Sequence, residues 1–236
     1  MWNGKLKAVT FSFDDGISQD IRMIHLLDKY GLKATFNLNS ELLGRNDKLL
    51  NINDKGEYFP HIKILPEHVP EIYANHEVAV HTLTHPNLTQ LSKEEVIRQV
   101  EEDRKNLEKM WGKEVVGMAY PCGGVNNNDE VAQIIKENTG VKYSRTITSS
   151  YSFDIPENLY RFNPTVYFCE GPIMFDLIKQ FLELKTDKPQ LLYIWGHSYE
   201  CDLARWINWD ILEEAFKLIS GHDDIYYCTN REAFDL

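Results

Sequence analysis

Cysteine is scarce and dispersed: Cys122, Cys169, Cys201 and Cys228 are the four in 236 residues, with no Cys-x-x-Cys pair. A chain of this length can bury a core without covalent staples, so a disulfide scaffold is excluded and the thiols are read as free. Long apolar runs are missing too. Nothing approaches the ~20 consecutive residues that cross a bilayer, and the opening Met-Trp-Asn-Gly-Lys-Leu-Lys lacks the apolar stretch and cleavage site of a secretory signal. The expectation is a cytoplasmic protein with no membrane partner. Positive charge is in deficit, Lys+Arg 25 against Asp+Glu 36, for a net charge of −11. A field of that sign repels phosphate backbones, which makes DNA, RNA and anionic membrane surfaces poor partners. The chain shows no internal repeat and no low-complexity tract.

Apolar material is ample, with 43% hydrophobic and 12% aromatic residues beside 26% charged. The length fits a single domain spanning 1–236, of the size that α/β barrels reach undivided. Residues 7–13 alternate Val9, Phe11 and Phe13 with Thr10 and Ser12, the period of a strand. A helix follows, with Ser18 as N-cap, an apolar stripe of Ile21, Ile24, Leu26 and Leu27, and Gly31 as the stop. The rhythm repeats: strands are predicted at 33–39, 77–82, 115–120, 141–147, 190–195 and 224–228, and helices at 93–111, 128–138, 172–185 and 206–219. Ser92 and Glu95 form a capping box ahead of Val96, Val100, Leu107 and Met110. Such βα alternation predicts an α/β fold, a parallel sheet covered by helices. Residues 40–76 and 148–170 lack a clear period and are expected as long loops over one face, the first turning at Asp54-Lys55-Gly56.

Chemistry-bearing residues gather at the predicted strand ends. The first strand closes on Asp14-Asp15-Gly16. Adjacent carboxylates repel and call for a cation or an arginine, although Asp-Gly is also an ordinary turn dipeptide. The third strand runs into His81-Thr82-Leu83-Thr84-His85-Pro86, whose two imidazoles can close on one cation. Thr82 stands where a zinc protease carries glutamate, which removes that reading. An aspartate and two distant histidines make a two-His, one-carboxylate set with open coordination positions, the catalytic kind of metal site. An iron oxygenase usually keeps its histidine and carboxylate close, unlike Asp15 and His81. Later strands end in Pro121-Cys122-Gly123-Gly124, in Arg145 and in Trp195-Gly196-His197-Ser198. All five clusters fall at C-terminal ends of parallel strands, the face on which barrels and open α/β sheets build active sites.

In this order, Thr10-Phe11-Ser12-Phe13-Asp14-Asp15-Gly16, His81 to Pro86, Tyr120-Pro121-Cys122-Gly123, and His197 after an apolar strand resemble the motifs of the polysaccharide deacetylase family. This is carbohydrate esterase family four, with its NodB-homology domain, and the resemblance runs from residue 9 to 198. It implies a distorted (β/α) barrel, TIM-barrel-like and commonly seven-stranded, that removes acetyl groups from N-acetylated sugars with a divalent metal, zinc foremost. By position, Asp15, His81 and His85 would be the metal ligands, Asp14 the general base and His197 the general acid. The backbone N–H of Cys122, in the turn Tyr120-Pro121-Cys122, would help bind the oxyanion, and Trp195 with Leu192 and Ile194 would line the acetyl pocket. Many members carry an arginine two residues before the motif's proline. Here that residue is Ala119, and Arg145, one strand on, is the expected substitute holding Asp14. The acidic partner of His197 is open among Glu200, Asp202 and Asp154.

Three functions compete: an acetamido-sugar deacetylase, a barrel of the same family acting on a non-sugar amide, imide or ureide C–N bond, and a sugar-binding barrel with a degenerate site. The complete Asp-Asp and His-x-x-x-His set argues against the last. His25, His61, His68, His76 and His222 are read as surface or structural residues, and Trp206 and Trp209 as packing. With no leader, anchor or appended carbohydrate-binding domain in view, the expected substrate is a small soluble acetamido sugar or oligosaccharide. The oligomeric state is left open.

Overall fold

The computed structural model describes residues 2–45 and 47–236. In chain order it contains β1 (Lys7–Asp14), α1 (Gln19–Lys29), β2 (Ala34–Leu38), β3 (Leu50–Ile52), β4 (Tyr58–Pro60), α2 (Val69–Ile72), β5 (Glu77–Val80), α3 (Lys93–Trp111), β6 (Gly117–Ala119), α4 (Asp129–Asn138), β7 (Tyr143–Arg145), β8 (Val166–Tyr167), α5 (Pro172–Glu183), β9 (Gln190–Gly196), α6 (Trp209–Ile219), β10 (Ile225–Tyr227) and α7 (Asn230–Ala233). Every strand and helix expected outside the two aperiodic stretches is present.

The main sheet runs β7-β6-β5-β2-β1-β9-β8 and is parallel at each pairing. β10 pairs with residues 7–9 of β1, on the edge that β2 holds from Phe11 onward. The sheet curls, and one bent segment spans its two outer edges. Phe162 N–H donates to Ser144 O (3.2 Å) and Thr146 N–H to Phe162 O (2.8 Å), then Thr165 N–H donates to Tyr193 O on β9 (2.9 Å). The result is a distorted (β/α) barrel.

Alternation along β1 sorts its side chains into two layers. Val9, Phe11 and Phe13 join Phe36, Phe168 and Phe216 in the apolar layer under the helices. Burying one such ring is worth about 1.5–3 kcal/mol. Ala8, Thr10, Ser12 and Asp14 take the other face, where Thr10 Oγ1 accepts from Asn230 Nδ2 (2.8 Å) and Ser12 Oγ from Arg145 Nε (3.2 Å). The barrel interior therefore carries a polar column with Asp14 at its upper end.

Some local expectations are corrected. Ser18 has helical backbone angles and makes no capping bond; its hydroxyl donates to Gln19 Oε1 (3.1 Å). The buried face of α1 is Asp20, Met23, Leu26 and Leu27, while Ile21 is 54% exposed, because Asp20 is drawn inward by hydroxyls of Ser198 and Tyr73. Ser92 Oγ accepts from Glu95 N–H (3.3 Å), but the Glu95 carboxylate turns to Arg98 and Gln99, so only half of the capping box forms. The stretch 40–76 holds the antiparallel hairpin β3–β4, turning through Gly56 at φ +82°, and α2; the stretch 148–170 holds β8. Strands of two or three residues are too short to show a period. Among the described residues no helix is long and apolar enough to cross a membrane.

Candidate active site

The C-terminal ends of the barrel strands surround a cavity of about 210 Å³. Asp14, Asp15, His81, His85, Tyr120, Cys122, Trp195 and His197 line it, as the sequence suggested, together with Gly123, Ile147 and Tyr199. Leu192 and Ile194 do not line it. They sit on the opposite face of β9 in the helix-side layer, because side chains alternate and Trp195 shares its face with Leu191 and Tyr193. Pro121 lies between two lining residues, and Arg145 is fully buried behind Asp14.

Asp14 is the last residue of β1 and only 2% exposed. Arg145 Nη2 donates to both of its oxygens at 2.6 Å, and Asn37 Nδ2 donates to Oδ1 at 2.8 Å. The guanidinium is fixed in turn by Ser12 Oγ, by Thr146 O (3.0 Å) and by the Trp195 ring, 4.4 Å from its centre. Burial pushes the Asp14 carboxyl up, but Arg145, His81 and His197 outweigh it and hold the group below its ordinary range. Asp15 turns the chain at φ +88° and is likewise held low, burial being overcome by His197, Lys63, His81 and His85. Gly16 completes the turn at φ +61°, where a Cβ would also meet Leu38 Cδ2 at 2.9 Å.

Thr82 (φ +69°), His85 (φ +61°) and Cys122 (φ +68°) share the left-handed conformation of Asp15. Each such non-glycine residue costs on the order of 1–3 kcal/mol, so the neighbourhood must impose it. Thr82 Oγ1 accepts from His85 N–H (3.1 Å), and Asn39 Nδ2 donates to the carbonyls of His81 and Thr82. Asp103, buried on α3, accepts from the backbone N–H groups of Ser40 (2.7 Å) and His81 (3.1 Å), and burial pushes its carboxyl up to about 7.

His81 Nδ1 lies 2.9 Å from Ala119 O, so that nitrogen carries the proton and Nε2 is the acceptor. Burial pushes His81 down to about 4, which keeps it neutral near pH 7. Its Nε2 faces Asp14 Oδ2 and Asp15 Oδ1 at 4.0 Å, and His85 Nε2 is 3.8 Å from Asp15 Oδ1. One ligand atom from each of Asp15, His81 and His85 lies within 4.8 Å of the others. Two imidazoles and one carboxylate converging in this way fit a divalent metal ion.

On the other side stands His197, at the end of β9. Glu200 Oε2 accepts the His197 backbone N–H (2.9 Å) and lies 3.2 Å from Nδ1, though not aligned there as a hydrogen bond; Tyr167 OH donates to Oε1 of the same carboxylate. Burial alone would lower the imidazole, but Glu200, Asp15 and Asp14 prevail and raise it to about 9. His197 Nε2 is 4.0 Å from both Asp14 and Asp15. Of the three acidic candidates only Glu200 reaches it. Asp202 is bonded to Gln19 and Trp209, and exposed Asp154 to Lys188 and Gln190. Between these groups, Cys122 N–H points at His85 Nε2 (3.5 Å), while burial raises the Cys122 thiol, against a nucleophilic role.

The profile of the polysaccharide deacetylase family matches residues 3–143. This chain belongs to that family. The matched span contains Asp14, Asp15, His81, His85 and Cys122, whereas Arg145 and His197 lie beyond it. Several solved structures share this deacetylase-family fold. A mutant of the peptidoglycan deacetylase PdaC from Bacillus subtilis superposes with TM-score 0.55 at 18% identity, covering 98% of this chain and 91% of that one. The Xyl-CE4 domain of a multidomain xylanase, from the hindgut metagenome of Trinervitermes trinervoides, gives 0.52 at 17% identity, covering 97% and 90%. A CE4 family pseudoenzyme from Bacillus anthracis gives 0.53 at 18% identity, covering 97% and 66%. No curated protein sequence matches the chain. The fold thus carries both active and inactive members, and an argument for activity has to rest on the side chains.

Proposed function

We propose that this polysaccharide deacetylase family member is a metal-dependent hydrolase that removes acetyl groups from N-acetylated sugars. The carrying observation is the Asp14–Arg145 pair set 4.0 Å from His81 Nε2 and His197 Nε2, beside the Asp15–His81–His85 triad. It supplies a base, an acid and a cation site within one small cavity.

Asp15, His81 and His85 would hold the metal, zinc by donor type, which when bound contributes Lewis acidity that acidifies water and polarises a carbonyl. The chain's own groups do the rest. Asp14, kept ionised by Arg145, accepts the proton of the attacking water; a general base of this kind is worth ~10²–10⁴ in rate. Cys122 N–H, which lines the cavity and is aimed here at His85 Nε2, would donate to the oxyanion that forms at the amide carbon, a donor worth ~10²–10³. His197, protonated at neutral pH with Glu200 behind it, gives its proton to the departing amine nitrogen. Tyr120, Ile147, Trp195 and Tyr199 wall the acetyl methyl and limit competing water. The cavity of about 210 Å³ suits a short ligand better than a long polymer chain.

The test is acetate release from a panel of N-acetylated sugars, with metal content measured on the same sample. Activity lost to a chelator and restored by zinc supports the reading. A metal-free protein whose activity survives chelation, or one that releases acetate from no sugar, overturns it.

A further inference from the structure

Leu42, Arg45, Asp47, Lys48, His61 and Lys63 enclose a second cleft of about 170 Å³ at the base of the β3–β4 hairpin. Three cations face one carboxylate there, in a chain whose net charge is −11. Arg45 and Lys48 make no ion pair with any described residue. The Nδ1 of His61 is buried with no hydrogen-bond partner among the described residues. Among the arginines a free side chain such as that of Arg45 is uncommon, since Arg98, Arg104, Arg145, Arg161, Arg205 and Arg231 all pair with carboxylates.

The cleft shares a wall with the catalytic cavity. The His61 ring packs edge-on against Tyr199, 5.1 Å between centroids, and Tyr199 lines that cavity. Lys63 Nζ donates to the backbone carbonyl of Asp15 (2.6 Å) and stands 4.0 Å from its carboxylate. A group bound in the cleft is therefore one layer of side chains from the reacting centre.

We propose that this cleft is a subsite for an acidic substituent, a carboxylate or phosphate, carried by the acetamido-sugar substrate. The inference rests on the deacetylase reading above. Arg45 offers a planar fork suited to paired oxygens, Lys48 and Lys63 offer compact charges, and the unpartnered His61 Nδ1, in the tautomer that carries the proton there, offers a donor already out of water. The overall negative field still repels long polyanions, whereas a local basic concavity accepts a single acidic group and focuses it beside the metal triad.

The experiment measures Kd by calorimetry, and acetate release in parallel, for N-acetylglucosamine, N-acetylmuramic acid and N-acetylglucosamine phosphate. The proteins are the wild type, the double variant Arg45→Gln/Lys48→Gln, and Lys185→Gln, whose cation lines a different cleft beside Lys7 and Asp224. The acidic sugars are expected to bind about tenfold tighter than the neutral one at low salt, with the preference screened as ionic strength rises. The double variant should lose that preference and Lys185→Gln keep it. The carboxylate and phosphate arms decide which acid the subsite takes. Equal binding of neutral and acidic sugars, or a preference that survives in the double variant, overturns the inference. Because binding and acetate release are read separately, with Asp14→Asn as the background in which Kd is taken where the wild type turns the sugar over, absence of acetate release from every sugar would count against the deacetylase reading alone.

Discussion

The barrel interior buries a carboxylate at each end, and their pKa values are shifted in opposite directions. Asp14 and Glu77 are each 2% exposed. At the lower end Glu77 accepts from Thr35 Oγ1 (2.6 Å), Tyr143 OH (2.9 Å) and the Arg231 backbone N–H (2.9 Å), yet burial prevails and raises its pKa. At the upper end the buried Arg145 guanidinium, with His81 and His197, reverses the sign and keeps Asp14 low. Three neutral donors do not offset desolvation here, and a cation does. The lower end is a closed network that also ties Asn230 to Thr10 and to Tyr193; the upper end opens on the cavity.

The largest expected effects lie at the upper end. Asp14→Asn should cut acetate release by ~10²–10⁴ while leaving metal content intact, because the base is lost and the triad is not. Asp15→Asn should lose both, since Asp15 is in the triad. Turnover with elemental analysis separates them, and equal metal retention with equal loss of activity would mean that the roles of base and ligand are misassigned. Arg145→Met leaves Asp14 buried without its cation, which should cost about 3–5 kcal/mol in chemical denaturation. Asp14 is held low in the folded state, so the stability it contributes is present above about pH 4 and lost as pH falls. The variant loses this contribution, and the acidic limb of its pH–rate profile should move upward.

The same contrast shows what could be read in the sequence. The strand tips were legible because the histidine and Pro121 motifs end apolar runs, and two-residue periodicity on β1 placed Asp14 on the face of Thr10 and Ser12. The same rule, applied to β9, would have kept Leu192 and Ile194 out of the acetyl pocket, and along the expected strand 141–147 it would have put Ile147 on the face of Arg145. Asp103 also left a signal, standing on the buried stripe of α3 with Val96, Gln99, Val100 and Leu107. The lower network was not legible. Glu77 opens an ordinary strand, and its partners Thr35, Tyr143 and Arg231 come together only when distant strands and α7 pack. The β3–β4 hairpin and the basic cleft at its base were hidden for a similar reason, strands of three residues carrying too little pattern.

An intermediate effect is expected at His197. Glu200 is the chief cause that raises this imidazole to about 9, and the acid must be protonated to act. Activity should therefore fall as pH rises through that value. Glu200→Gln removes the charge and should carry the alkaline limb down toward the ordinary histidine value of about 6.5. Rates near pH 8 should drop while those near pH 6 change little. An alkaline limb that stays in place would assign it to another group.

The smallest effect belongs to the lower end. Glu77→Gln keeps the shape but presents an amide N–H₂ where donors now point, so one contact must reverse, as the Tyr143 hydroxyl can by accepting. A cost of about 1 kcal/mol is expected, with acetate release unchanged. The pH dependence is the sharper readout. Because the folded pKa of Glu77 is raised, the stability it contributes is full below about pH 4.5 and is lost as pH rises through the raised value. Gln does not titrate, so the variant should be less stable than wild type near pH 4, with the difference shrinking toward pH 8 in denaturant titrations. A difference that instead widened with pH would mean that the Glu77 pKa is lowered, as that of Asp14 is, and the contrast between the two ends of the barrel would fail.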